Sequence, residues 1–230
     1  MTTPPDFCFP DLRSRLRDDN FLSAIRGADG AAAGLRTSAE LDDLLDRTLL
    51  QHPAGSDIHV FAYGSLMWNP ALEHVSAARA RVHGWHRSFC LRNLVGRGGP
   101  GRPGLMLALD RGGSCNGVLL RIPAHCVREE LTLLWRREMT WGSYDARWVR
   151  AHVDDGTVPA VTFVVRRAHE RYVRSLPIRE AARLINTGEG SLGTCRNYFD
   201  ATMEKLRELG IQDHRMEQLR KAVHVRAGHE

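Results

Sequence analysis

The stretch Ile58-His59-Val60-Phe61-Ala62-Tyr63-Gly64-Ser65-Leu66 decides how the rest of the chain is read. Its first six residues are apolar and β-branched enough for a buried strand, and His52-Pro53-Ala54-Gly55-Ser56-Asp57 breaks whatever comes before them. Gly64 and Ser65 end the strand in a tight turn, where glycine lets backbone approach a bound group closely. Such a turn presents several N–H groups together, and oriented donors hold a carboxylate or the oxyanion of an acyl transfer. The plain alternative is a turn without a role. Ser65 is not read as a hydrolase nucleophile, because Tyr63 and Met67 stand where a G-x-S-x-G elbow needs glycine.

Outward from this strand, further strands are expected at 81–91, 105–109, 116–122, 147–153 and 158–165. Six strands with few helices among them favour a mainly antiparallel sheet or small barrel over a doubly wound fold. A helix precedes the first strand: Thr37 and Glu40 have capping-box spacing, and Leu41, Leu44, Leu45 and Leu49 repeat on one face. Others are expected at 127–138, 178–186, 194–209 and 214–223. The segment before residue 37 is read as a loosely helical extension, with Leu12, Leu16 and Ile25 weakly periodic and Ala31-Ala32-Ala33-Gly34 a linker. The run 95–104, rich in glycine and proline, is either a mobile flap beside a site or a solvated connector.

Glu138 draws attention through its spacing. Leu131, Leu134, Trp135 and Glu138 follow at i, i+3, i+4 and i+7, which sets a carboxylate on the apolar stripe of its helix. Burial raises a carboxyl pKa, and a glutamate tuned towards neutrality suits proton transfer at cellular pH. The structural alternative is a glutamate paired to an arginine across the core, or one reaching water from the helix end.

Composition narrows the classes. At 230 residues, 43% apolar and 26% charged, the chain is expected to fold as one globular unit. The formal charge of +5 rests on arginines scattered among acids, which argues against a nucleic-acid stripe. No apolar run has membrane-spanning length, and Met1-Thr2-Thr3-Pro4-Pro5-Asp6 does not look like a secretory leader, so a cytoplasmic protein is expected. Cys8, Cys90, Cys115, Cys126 and Cys195 lack disulfide or zinc spacing and are read as buried or idle thiols. The histidines, including His83 and His86 beside Trp85, show no ligand spacing, so no metal is expected. Gly188-Glu189-Gly190-Ser191-Leu192-Gly193 matches G-x-G-x-x-G but follows a helical pattern, so it is read as a loop between helices.

These motifs together resemble the ChaC family of γ-glutamylcyclotransferases. The likeness is carried by Val60-Phe61-Ala62-Tyr63-Gly64-Ser65-Leu66-Met67-Trp68-Asn69-Pro70, by Gly84-Trp85-His86-Arg87-Ser88-Phe89-Cys90-Leu91, and by Arg102-Pro103-Gly104-Leu105-Met106-Leu107-Ala108-Leu109. Trp135-Arg136-Arg137-Glu138-Met139 with Gly142-Ser143-Tyr144, and a tail from 182 to 223, complete it. The resemblance implies an α+β fold, a small and mostly antiparallel β-barrel with surrounding helices, occupying residues 37–230 behind an extension at 1–36. It implies cleavage of a γ-glutamyl amide, glutathione first, to 5-oxoproline and the free amine, without a cofactor. Glu138 is then the catalytic acid/base, Tyr63, Gly64, Ser65 and Leu66 hold the substrate, and Tyr144 orients Glu138 or binds substrate. Family members commonly carry threonine and glutamate at the positions of Gly99 and Gly101, so preference among γ-glutamyl compounds is the property this departure touches. The alternatives are a cyclotransferase for another γ-glutamyl amine, or a non-catalytic binding or regulatory protein on the same fold. No nucleic-acid or membrane partner is expected, and the sequence leaves the oligomeric state open.

Overall fold

A computed structural model describes residues 12–20, 22–23 and 34–225. In chain order it contains α1 (Leu12–Arg17), α2 (Ser38–Leu49), β1 (Ile58–Ala62), β2 (Ser76–Asn93), β3 (Gly104–Ile122), α3 (Val127–Glu138), β4 (Tyr144–Val153), β5 (Gly156–Val165), α4 (Ile178–Thr187), β6 (Glu189–Gly190), β7 (Gly193–Thr194), α5 (Cys195–Glu208) and α6 (His214–His224). Ile25, Ala31 to Ala33 and Cys8 lie outside the described residues.

Strands β1 to β5 close a barrel in the order β1-β3-β2-β4-β5. Neighbours pair antiparallel except where β5 meets β1 at Val60 and Val161 and meets β3 at Leu109 and Val164, both parallel contacts. The expected fold class is therefore the observed one. Ile58, Val60, Phe61 and Ala62 have no exposed surface, and Ala160 to Val165 is buried without alternation, because these strands face the barrel interior on one side and packed helices on the other.

The strand count differs from expectation. Segments 105–109 and 116–122 are the two ends of one strand, β3, paired along its length with β2. Gly112 and Gly113, which lie between the two expected segments, form a bulge: His83 pairs Ser114 and Trp85 pairs Arg111, leaving two residues on β3 opposite the single Gly84. All three glycines have positive φ, so the strand bends there without ending. Gly188 to Gly193 is likewise not a plain loop but carries the β6–β7 hairpin.

The helices start where the sequence supplies caps. Thr37 Oγ1 accepts from Glu40 N at 3.2 Å while a Glu40 carboxylate oxygen accepts from Thr37 N at 2.7 Å, the reciprocal pair expected at α2. Thr194 and Asp213 cap α5 and α6 through Asn197 N and Met216 N. Helix α3 begins and ends where its apolar spacing predicts. Its Leu131 and Leu134 are fully buried, each contributing about 1.5–3 kcal/mol, and Trp135 meets Phe163 of β5 edge-on at 5.3 Å. From the other side α1 buries Leu16, and Arg13 grips Glu130 of α3 at 2.5 and 2.7 Å.

The run 95–104 is not a solvated connector. Gly96, Arg97 and Gly98 are buried, and a Cβ on Gly98 would lie 2.2 Å from the Asn93 carbonyl oxygen. A Cβ on Gly190 would lie 2.4 Å from Gly98 O, so the run packs backbone to backbone on the β6–β7 hairpin. Arg102 and Glu189 pair across the same contact. Among the described residues no helix is long and apolar enough to cross a membrane, and no group of three His, Cys, Asp or Glu side chains is placed to hold a metal.

Candidate active site

Tyr63, Gly64, Ser65, Leu66, Glu138 and Tyr144, six residues singled out in the sequence, line one small cavity of about 30 Å³ with Met106, Leu107, Phe163 and Tyr198. It lies where β1 and β5 end and β4 begins. A roomier cleft of about 470 Å³ lies apart, lined by Trp85, Arg111, Asp145, Arg147 and Arg167 among others, and holds none of the six. Arg167 there is already bonded to Asp110 at 2.7 Å.

The turn after β1 is a short 3-10 segment, Ser65–Met67. Met67 N and Trp68 N bond back to Gly64 O and Ser65 O, whereas among the described residues the N–H groups of Ser65 and Leu66 have no backbone acceptor. The opening donors of any helical turn are left over in this way. Space at Gly64 is tight: a Cβ there would sit 3.3 Å from both Leu107 Cδ2 and the Tyr198 hydroxyl, so those side chains would have to give by a few tenths of an ångström.

Two arginines hold the turn from opposite sides. Arg87 of β2, with a fully buried side chain, donates to Tyr63 O at 2.7 Å, to Asn116 O at 2.6 Å and to Asp213 Oδ2 at 2.6 Å. Arg137 donates to Ser65 Oγ at 2.8 Å, to Asn69 O at 2.7 Å and to Pro70 O at 3.2 Å. Ser65 Oγ thus faces a guanidinium and no base, in keeping with its exclusion as a nucleophile.

Glu138 sits at the last position of α3, 3.1 Å from Arg137 Nε, with a side chain 15% exposed. The structural alternative is partly realised, since the carboxylate does pair with an arginine, but that arginine is its chain neighbour and spends its remaining donors on the turn. Burial pushes the Glu138 carboxyl above its ordinary value and Arg137 only partly opposes it. Glu130, two turns earlier on α3, goes the other way: burial would raise it, yet the bonds from Arg13 and Glu73 N outweigh that and hold it low. One helix therefore carries two buried carboxyls tuned apart, and the raised one faces the cavity.

The hydroxyl of Tyr144 donates to Leu107 O at 2.8 Å, and among the described residues it makes no hydrogen bond to Glu138. Its lone pairs are left for a ligand. Burial holds the phenols of Tyr63, Tyr144 and Tyr198 above the ordinary tyrosine value, so all three stay neutral. Tyr198 and the two arginines are the residues that sequence reasoning did not single out. For Tyr198 a signal was present: Cys195, Tyr198, Phe199, Thr202 and Leu206 form the buried stripe of α5, which aims a phenol at the core.

The sequence pattern of the family described as ChaC-like protein matches residues 58–226. A glutathione-specific γ-glutamylcyclotransferase of Escherichia coli is 43% identical over 170 residues, covering 74% of each chain. Gamma-glutamylcyclotransferase 2-1 of Arabidopsis thaliana is 31% identical over 158 residues, covering 61% of this chain and 69% of the relative. The crystal structure of a yeast γ-glutamylcyclotransferase specific to glutathione superposes with a TM-score of 0.68 at 20% identity, over 73% of this chain and 96% of that one, a likeness of fold. With its barrel, its turn after β1 and its glutamate at the end of α3, this chain belongs to the ChaC-like family.

Proposed function

We propose that the protein is a γ-glutamylcyclotransferase that cleaves glutathione to 5-oxoproline and cysteinylglycine, with Glu138 as its acid/base. The observation carrying this is the convergence of a carboxyl raised by burial and a turn with spare N–H donors on one cavity. The names borne by the relatives in Escherichia coli and yeast support the choice of substrate.

The reaction needs no water. Glu138 as carboxylate takes a proton from the α-ammonium of the glutamyl unit, and the freed amine attacks the γ-carbonyl. A C–N bond forms, and the oxygen of the tetrahedral intermediate takes hydrogen bonds from Ser65 N and Leu66 N. As the lactam forms, its nitrogen sheds a second proton. The old amide C–N bond breaks, and both protons end on the departing amine, relayed by Glu138. Because the attack is intramolecular, what the site supplies is selection of the folded conformer, and Tyr144 with Tyr63 and Tyr198 shapes the space for it. We further assign catalysis to residues 37–230, with 1–36 as an appended segment whose α1 docks on α3 through Arg13 and Leu16.

The test is 5-oxoproline release from glutathione by the purified protein and by Glu138→Gln. Glutamine keeps the shape but carries no proton, so a loss on the order of a hundredfold or more is expected. Equal product from the two proteins removes Glu138 from the chemistry. Turnover of other γ-glutamyl amines above that of glutathione transfers the assignment to those substrates.

A further inference from the structure

Arg97 is an isolated buried cation. It is 6% exposed, and its one hydrogen bond among the described residues is from Nη1 to Thr194 O at a long 3.4 Å. No carboxylate stands within ion-pair distance of it among those residues, whereas Arg87, the other buried arginine among them, has Asp213 and two carbonyls. A guanidinium taken from water without a counter-charge destabilises the free protein, so the position needs a reason outside the fold.

Its surroundings supply one. Trp135 Nε1 is the only fully enclosed side-chain polar atom without a partner among the described residues, so the unbonded nitrogens of Arg97 are not completely enclosed. Arg97 is held where the glycine-rich run crosses the β6–β7 hairpin, and its Nη1 would be 3.5 Å from a Cβ on Gly193. Thr194, its one acceptor, lies one helical turn, about 5.4 Å, before Tyr198 on α5. The Tyr198 hydroxyl in turn touches the space above Gly64. From the γ-carbonyl held at the turn, the two residues of the leaving half of glutathione reach about 7 Å when extended.

We propose that Arg97 receives the terminal carboxylate of the leaving half of the substrate, the glycyl carboxylate of glutathione. This rests on the reading of the cavity as a γ-glutamyl amide site and adds the residue that selects the far end. The glutamyl α-carboxylate sits on the carbon whose ammonium Glu138 deprotonates and so stays within the cavity, whose lining does not include Arg97, whereas the glycyl carboxylate lies beyond the amide that breaks and is the charge left for Arg97, which has no acid of its own. A bidentate guanidinium–carboxylate pair is the geometry both prefer.

The experiment is a titration of the Glu138→Gln protein, which holds substrate without turning it over, with glutathione and with its glycine carboxamide. With Arg97 present, glutathione is expected to bind about 10- to 100-fold more tightly than the carboxamide. In the Glu138→Gln, Arg97→Met double variant the ratio is expected to fall to about one, with carboxamide affinity nearly unchanged, the non-additivity of a direct contact. Arg97→Lys is expected to retain part of the ratio, and Arg97→Met to melt no lower than its parent, since it removes an unmatched buried charge. Persistence of the full ratio without Arg97, or an equal loss for both ligands, overturns the inference. Product formation by the Glu138-containing protein, followed alongside, reports on the cyclotransferase reading separately: no 5-oxoproline with the ratio intact rejects that reading and leaves the Arg97 contact standing.

Discussion

Replacing Arg87 by methionine separates the anchor of the turn from the chemistry performed at it. The side chain of Arg87 is fully buried and makes three bonds of 2.6–2.7 Å, to Tyr63 O, Asn116 O and Asp213. Methionine restores most of the packing and none of the bonds. Asp213 is 17% exposed and regains some water, whereas the two carbonyls lose their donor inside the protein. The net cost of breaking such a buried pair is about 3–5 kcal/mol. For a chain of this length that lowers Tm by roughly 6–20 °C, at about 2–4 °C per kcal/mol. Thermal denaturation followed by circular dichroism measures it. At 25 °C, well below the expected transition, 5-oxoproline release should also fall, because Tyr63 leads straight into the turn. Arg87→Lys, whose point charge serves one or two of the three acceptors, should fall between the two proteins. An Arg87→Met protein that melts within about 2 °C of its parent, or that turns over at the parent rate, refutes the role argued for this arginine.

Gly64→Ala places a methyl 3.3 Å from Leu107 Cδ2 and the Tyr198 hydroxyl, at the mouth of a cavity with little room. A drop of about tenfold or more in kcat/KM with a nearly unchanged Tm is expected, and undiminished turnover would show that the substrate does not come that close. Glu138→Gln should alter stability with a definite sign. A carboxyl raised by folding costs stability wherever the pH exceeds its unfolded value, ordinarily 4.5, and costs the full amount above its folded value. The stability of the variant relative to its parent should therefore increase as pH rises through that window, read from melting curves between acid and neutral pH; a flat difference contradicts the raised carboxyl.

The helical half of the molecule was legible because its signals are local. Thr37 and Glu40 reveal the start of α2, and the stripe Leu131, Leu134, Trp135, Glu138 reveals both α3 and the exceptional carboxylate on it. The barrel was legible as a class but not in its strand count. A glycine pair inside an unbroken ladder looks, in one dimension, the same as a turn, and the difference lies in Trp85 and His83 on another strand. The site divides in the same way. The turn and Glu138 show in the sequence because one is a strand ending in glycine and the other breaks an apolar pattern. Arg87 and Arg97 do not, because an arginine in a strand or a glycine-rich run looks like surface until the fold encloses it. What marks them is a partner distant in sequence, Asp213 for one and the missing acid for the other.

Asp213 has two duties, since Oδ1 caps α6 at Met216 N while Oδ2 neutralises Arg87. Helix α6 and the reactive turn therefore share one fastening. If α6 unwinds in a local opening, Arg87 is left charged and unmatched in the interior, so the opening of that helix and the loosening of the turn belong to one cooperative unit. Amide hydrogen exchange along α6 and around residues 63–66 then acquires a common free energy, and the firmness of the active site is set in part by how rarely α6 lets go.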